Sequence, residues 1–131
     1  VRSLLKNHWI YLISWIAWFI ALWFLSSRPL QGPQISSGLP IDKILHWGYF
    51  GIGSAIATFC LLAKKKTDRV PPQYFEVLMI AGITMGLLDE WHQSWYEFRS
   101  GNDLGDFIAD CLGTYCGIKA APFAWRFAFC R

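Results

Sequence analysis

From Trp9 to Leu25 the chain runs seventeen residues without a charge. Coiled as a helix at ~1.5 Å per residue, such a run covers most of the hydrocarbon core of a bilayer. A basic start (Arg2, Lys6) followed by an apolar run also fits a secretory signal peptide. The run exceeds the usual ~7–15-residue hydrophobic region of such a peptide, and it exits into Ser26, Ser27, Arg28 and Pro29 without a small-x-small cleavage pattern. An uncleaved membrane span is therefore expected. Composition agrees: 54% of the 131 residues are apolar and 16% charged, against roughly 45–50% and about 25% in an average soluble domain. With 8 Trp, 5 Tyr and 10 Phe to hide, a soluble globule of this size is disfavoured. High apolar content argues against a disordered tail, aperiodic glycine against a collagen-like rod, and four scattered cysteines against a disulfide-stapled miniprotein.

Three further helices are expected. Residues 26–41 carry Pro29, Gly32, Pro33, Gly38 and Pro40 and read as a loop. A second apolar run, Ile44 to Ala63, ends at three consecutive lysines, Lys64 to Lys66. The third extends from about Tyr74 through Leu88 to a polar end at Gln93, and the fourth from about Leu104 to Ala121, where Pro122 should stop it. The expected fold is all-α: a single polytopic membrane domain over residues 1–131, with spans of about 9–25, 44–63, 74–93 and 104–121 in a four-helix antiparallel bundle.

In that topology one side carries nine bases (Arg2, Lys6, Lys64, Lys65, Lys66, Arg69, Lys119, Arg126, Arg131) and two acids, Asp68 and Glu76. The other carries Arg28, Lys43 and Arg99 against seven acids. The positive-inside rule then puts both termini in the cytoplasm and the acidic face outside, so a basic balance reads as topology and not as nucleic-acid binding. Cys60, Cys111, Cys116 and Cys130 form no C-x-x-C pair and read as small buried hydrophobes or free thiols. His8 and His92 read as surface histidines, with metal or pigment ligation as a minor alternative. Trp9, Trp91 and Trp95 suit an interfacial belt, while Trp15, Trp18, Phe19, Trp23 and Phe24 lie along the first span and could face lipid, a partner subunit or a pigment.

A carboxylate at the centre of a membrane helix costs roughly 2.5–3.5 kcal/mol on insertion scales, so each needs a partner, a wet cavity or a shallow position. Several occur together here. Asp103, Asp106, Asp110, Gly113 and Gly117 recur at helical spacing and stack on one face of the fourth helix. Gly113 and Gly117, like Gly82 and Gly86 on the third, would let another helix approach closely. Asp42, His46, Tyr49 and Gly53 share a face of the second, which Asp42 could also cap. On the third, Gly86, Glu90 and Gln93 form a stripe, Asp89 and Gln93 an i,i+4 pair, and Arg99 follows in the loop.

These residues resemble the VanZ-like family of small integral membrane proteins. The family pattern is Asp-Lys-x-x-His-x-x-x-Tyr on one span, Asp-Glu-x-x-Gln near the end of the next, an arginine, then Asp-x-x-x-(Asn/Asp)-x-x-Gly-x-x-x-Gly. Asp42, Lys43 and His46 match the first part, with the aromatic position on Phe50 and Tyr49 one place earlier. Asp89, Glu90 and Gln93 match the second, Arg99 the arginine, and Asp106, Asp110, Gly113 and Gly117 the last. Glu97-Phe98 stands where many relatives have Pro-Gly, and the interval from Arg99 to Asp106 is about one residue long. The resemblance covers about Asp42 to Gly117. It implies a four-span envelope protein, in the bacterial inner membrane, of a family named for glycopeptide resistance and associated with teicoplanin; it implies no molecular activity.

Two functions compete. In one, an outward-facing polar site acts on a lipid-linked or cell-envelope headgroup: His46 and Glu90 are the acid/base candidates, Lys43 and Arg99 hold an anionic group, and Asp42, Gln93, Asp106 and Asp110 complete the binding set. Asp106 and Asp110 orient the cations or hold a divalent ion, Mg²⁺ or Ca²⁺ before zinc, but no metal site is assigned and no cofactor is specified. In the other, the same charges form a structural clasp and the protein is a non-enzymatic accessory or assembly subunit of a larger membrane complex. A clasp should approach charge balance, and this set is acidic. Transport has little support, since no inverted repeat or broken helix is present. No G-x-S-x-G, H-E-x-x-H or P-loop names a reaction, and whether the protein is an enzyme stays open. The partners expected are the lipid bilayer, an envelope ligand or a membrane complex, with no nucleic acid.

Overall fold

The computed structural model describes residues 7–28, 41–97 and 101–129. They form four helices, α1 (His8–Ser26), α2 (Ile41–Lys65), α3 (Pro72–Gln93) and α4 (Leu104–Phe129), and no strand occurs among the described residues. Local chemistry sets the helix ends. The Asn7 side chain accepts the Trp9 N–H at 3.1 Å and opens α1. Lys66, at φ 53°, closes α2 in the left-handed conformation while the Thr67 N–H donates to the Leu62 carbonyl, the 6→1 bond of a Schellman turn. Pro72 starts α3, where a missing N–H costs nothing. Asp103 precedes α4 and its carboxylate accepts the Gly105 N–H at 2.6 Å.

Two boundaries differ from expectation. α2 begins at Ile41, which places Asp42 inside the first turn and not in the capping position; there its charge still complements the positive helix terminus. Pro122 does not end α4, which continues to Phe129. A proline inside a helix removes one backbone hydrogen bond. Beyond it Trp125 is buried against Leu62 and Ala63, flanked by Tyr11, Phe59, Val70 and Phe129, and that apolar anchor holds the final turns in line.

The start of α1 and the ends of α2 and α4 meet in this aromatic cluster, while the end of α1, the start of α2, the end of α3 and the start of α4 meet at the other pole. Helices consecutive in sequence therefore run antiparallel, while α2 and α4, and likewise α1 and α3, run parallel to each other. The closest pair is α2 with α4: a Cβ at Gly113 would overlap the Trp47 carbonyl, and one at Gly117 the Gly51 carbonyl. Only glycine permits this backbone-to-backbone approach. On α3, Gly82 leaves room for Thr114 and Gly86 for Asp110.

Burial runs opposite to that of a soluble domain. Asp89, Glu90, His92, Gln93, Asp106 and Asp110 are buried, while Ile13, Phe24, Val77, Ile80, Leu112 and Phe123 are exposed. α1 and α2 are long and apolar enough to cross a membrane. Trp18, Trp23 and Phe19 turn one face inward: Trp18 stacks on Tyr49, Phe19 meets Phe50 edge-on and Trp23 stacks on His92.

Candidate functional site

The polar pole is assembled from all four helices. The Ser26 hydroxyl, at the end of α1, donates to Asp89 on α3. The other Asp89 oxygen accepts from the Gln93 amide at 2.8 Å, one turn on. Glu90, 4% exposed, accepts the Asp103 backbone N–H at 2.7 Å through Oε2 and so ties the end of α3 to the start of α4. On α2, His46 Nδ1 lies 2.9 Å from Asp110 Oδ1, with the imidazole 10% and the carboxylate 0% exposed. Lys43 reaches Asp106 at 2.8 Å and Asp103 at 3.3 Å. Asp42, His46 and Asp106 bring one ligand atom each within 4.8 Å of one another, and so do His46, Asp89, Glu90 and Asp110.

Asp42, Lys43, His46, Glu90, Gln93, Asp106 and Asp110, all candidates from sequence, are thus gathered at one end. Arg99 lies outside the described residues. Lys43 donates to two carboxylates, Asp103 and Asp106, and its side chain stays partly exposed. Asp103 stands just before the first residue of α4; its carboxyl is held below the ordinary range by the Gly105 N–H and then by the Lys43 ammonium.

Two participants, Ser26 and His92, escaped sequence reasoning, and a third, Asp89, was singled out by it without being counted in the site. Asp89 carried an i,i+4 signal with Gln93, yet it stands among the buried acids and not merely beside them. Ser26 follows an apolar run and has no periodic signal at all. His92 is a correction: expected at the surface, it is 1% exposed and stacks on Trp23 with ring centroids 3.6 Å apart. One turn separates His92 from Leu88 and Tyr96, so the helix face it shares is mixed, and only the position of Trp23 on α1 decides its burial. Its Nε2 lies 3.4 Å from both the Ser27 and Tyr96 hydroxyls.

Two carboxylate oxygens in the pole, Glu90 Oε1 and Asp110 Oδ2, are buried without a hydrogen-bond partner among the described residues. Beside them a cavity of about 260 Å³ opens between α1, α2 and α3. Leu22, Leu25, Leu45 and Phe50 make its apolar walls, and Asp42, His46, Asp89 and Gln93 its polar lining. An apolar wall with a few convergent polar groups is the common form of a small-ligand site. Chemically, an imidazole oriented by one carboxylate and standing within 4.8 Å of two more can take or give a proton. No family model, no curated protein and no solved structure matches this chain.

Proposed function

We propose that this is a four-span, VanZ-like protein of the bacterial inner membrane, whose polar pole binds the headgroup of a lipid-linked or other cell-envelope compound. The observation that carries the reading is the cavity: apolar walls of Leu22, Leu25, Leu45 and Phe50 adjoin Asp42, His46, Asp89 and Gln93, the polarity an amphiphile needs. Support for four spans comes from the outer faces of the two less apolar helices. Val77, Ile80 and Leu87 on α3 and Ile108, Leu112 and Phe123 on α4 are exposed, while Asp89, Glu90, Asp106 and Asp110 are buried. The charge asymmetry of the loops favours cytoplasmic termini and an outward pole.

In this reading His46 is the acid/base group, with Asp110 fixing the ring, and Glu90 is the second proton-transfer group, held through one oxygen by the Asp103 N–H. A link to glycopeptide resistance rests on the family resemblance alone. The second reading, an accessory subunit with a structural clasp, is favoured by the mutual pairing of Lys43 with Asp103 and Asp106, and of His46 with Asp110. The unpartnered oxygens of Glu90 and Asp110 weigh against it, because a clasp that leaves buried carboxylate oxygens unsatisfied stabilises poorly.

The test is purification in mild detergent followed by native mass spectrometry of retained lipid, for the wild type and for His46→Ala and Glu90→Gln. The site reading expects a lipid-linked compound on the wild type, and variants that fold and insert but lose it together with the effect on teicoplanin susceptibility. Variants that only lose the bundle, or stoichiometric recovery inside a larger complex with no lipid retained, would establish the clasp.

A further inference from the structure

Among the described residues the pole holds more negative charge than its bases offset. Asp89, Glu90 and Asp110 are at least nine-tenths buried, and the Lys43 ammonium is already shared by Asp103 and Asp106. Taking ionised carboxylates out of water costs several kcal/mol each unless an opposite charge accompanies them. Hydrogen bonds from Ser26, Gln93 and the Asp103 N–H satisfy some oxygens. Glu90 Oε1 and Asp110 Oδ2 have nothing. Two orphaned oxygens on two fully buried side chains, from two different helices, call for a shared electropositive partner.

We infer that His46, Asp89, Glu90 and Asp110 bind one divalent first-row transition-metal ion. One ligand atom from each lies within 4.8 Å of the other three. Around an ion with ~2.1 Å bonds, adjacent ligands stand ~3.0 Å apart and opposed ones ~4.2 Å. The 2.9 Å separation of His46 Nδ1 and Asp110 Oδ1 already has the adjacent spacing, and the 4.8 Å that bounds every pair exceeds the opposed spacing by only about 0.6 Å. One imidazole and three carboxylates suit manganese or zinc; calcium takes oxygen ligands and rarely an imidazole. The carboxylates approach from α3 and α4 and the imidazole from α2, so the ion would pin three helices together. It would also supply positive charge beside the adjoining cavity, which lets that cavity take a phosphate-bearing headgroup.

The inference rests on the functional reading in one respect, that the pole is a site and not a clasp; with the ion bound, His46 and Glu90 serve as its ligands in place of their acid/base roles. Its test needs no lipid. The full chain in detergent, stripped with a chelator, is titrated with MnCl₂ while the electron paramagnetic resonance of free Mn²⁺ is followed, and the bound ion is examined for coupling to imidazole nitrogen. Expected are one Mn²⁺ per chain, nitrogen coupling, and a raised thermal midpoint. Asp110→Asn and Glu90→Gln should each weaken binding by about tenfold or more, and His46→Gln should abolish the nitrogen coupling. Glu90→Gln changes no shape, so it serves where Asp110→Asn fails to fold. Absence of saturable Mn²⁺ binding overturns the inference, as does stoichiometric binding unchanged by Glu90→Gln or nitrogen coupling that survives His46→Gln. Lipid retained without Mn²⁺ binding sinks this inference and leaves the headgroup reading standing; Mn²⁺ bound with no lipid retained does the reverse.

Discussion

Asp103 does two things with one carboxylate. It caps α4 through the Gly105 N–H and pairs with Lys43, while its own N–H donates to Glu90. Both side-chain interactions favour the ionised form, so its folded-state pKa lies below the unfolded one. Such a group contributes stability that is present above the unfolded value, roughly pH 4, and is lost as the pH falls through the folded value. Asn keeps the capping geometry and removes the charge. The thermal midpoint of the wild type should therefore exceed that of Asp103→Asn at neutral pH, and the gap should close below about pH 4; a gap independent of pH would show that the charge contributes nothing. At this scale the sequence was informative where spacing repeats. His46, Asp106 and Asp110 fall on helical periods and meet in space. Ser26 and His92 do not, because each is placed by what another helix puts opposite it, a relation that no single-helix period encodes.

Helix α4 shows how much an element owes to its smallest residues. Gly113 and Gly117 were legible as a smooth stripe, but their target, the Trp47 and Gly51 carbonyls of α2, was not. A methyl group at Gly117 must push two backbones apart, since no flexible side chain can yield. Overpacking of that kind typically costs about 1–3 kcal/mol. Gly117→Ala should lower the stability of the detergent-solubilised protein by that order in a denaturant titration, whereas Ala at Gly48, which has open space around its Cβ, should fall within about 0.5 kcal/mol of the backbone-propensity effect alone. The extension past Pro122 was not legible for the complementary reason. Proline reports a local penalty, while Trp125 draws its burial from α2 and from Tyr11 of α1.

Taken whole, the molecule segregates its buried chemistry by pole: the apolar cluster around Trp125 at one end, the buried acids with His46 at the other. The alternation of helices and loops made that segregation readable, because the polar runs open α2 and α4 and close α3. Hydropathy singles out only α1 and α2, since the acids of α3 and α4 weigh against these helices whether they point inward or outward. Orientation is open to a direct check. In a variant whose native cysteines are replaced by serine or alanine, Ser27→Cys should react in intact cells with a membrane-impermeant maleimide, and Lys65→Cys only after the cytoplasmic side is exposed. The opposite pattern would invert the topology.

The glycine seam of α2 and α4 also separates scaffold from reactivity. Gly113 and Gly117 lie one and two turns further along α4 than Asp110, on the way to the aromatic end. The α2–α4 contact is thus set by main-chain approach that no acid shares, whereas α1 and α4 meet α3 at the polar pole through Asp89 and Glu90. Exchanging an acid there leaves the α2–α4 seam untouched and falls on the way α3 is held against it.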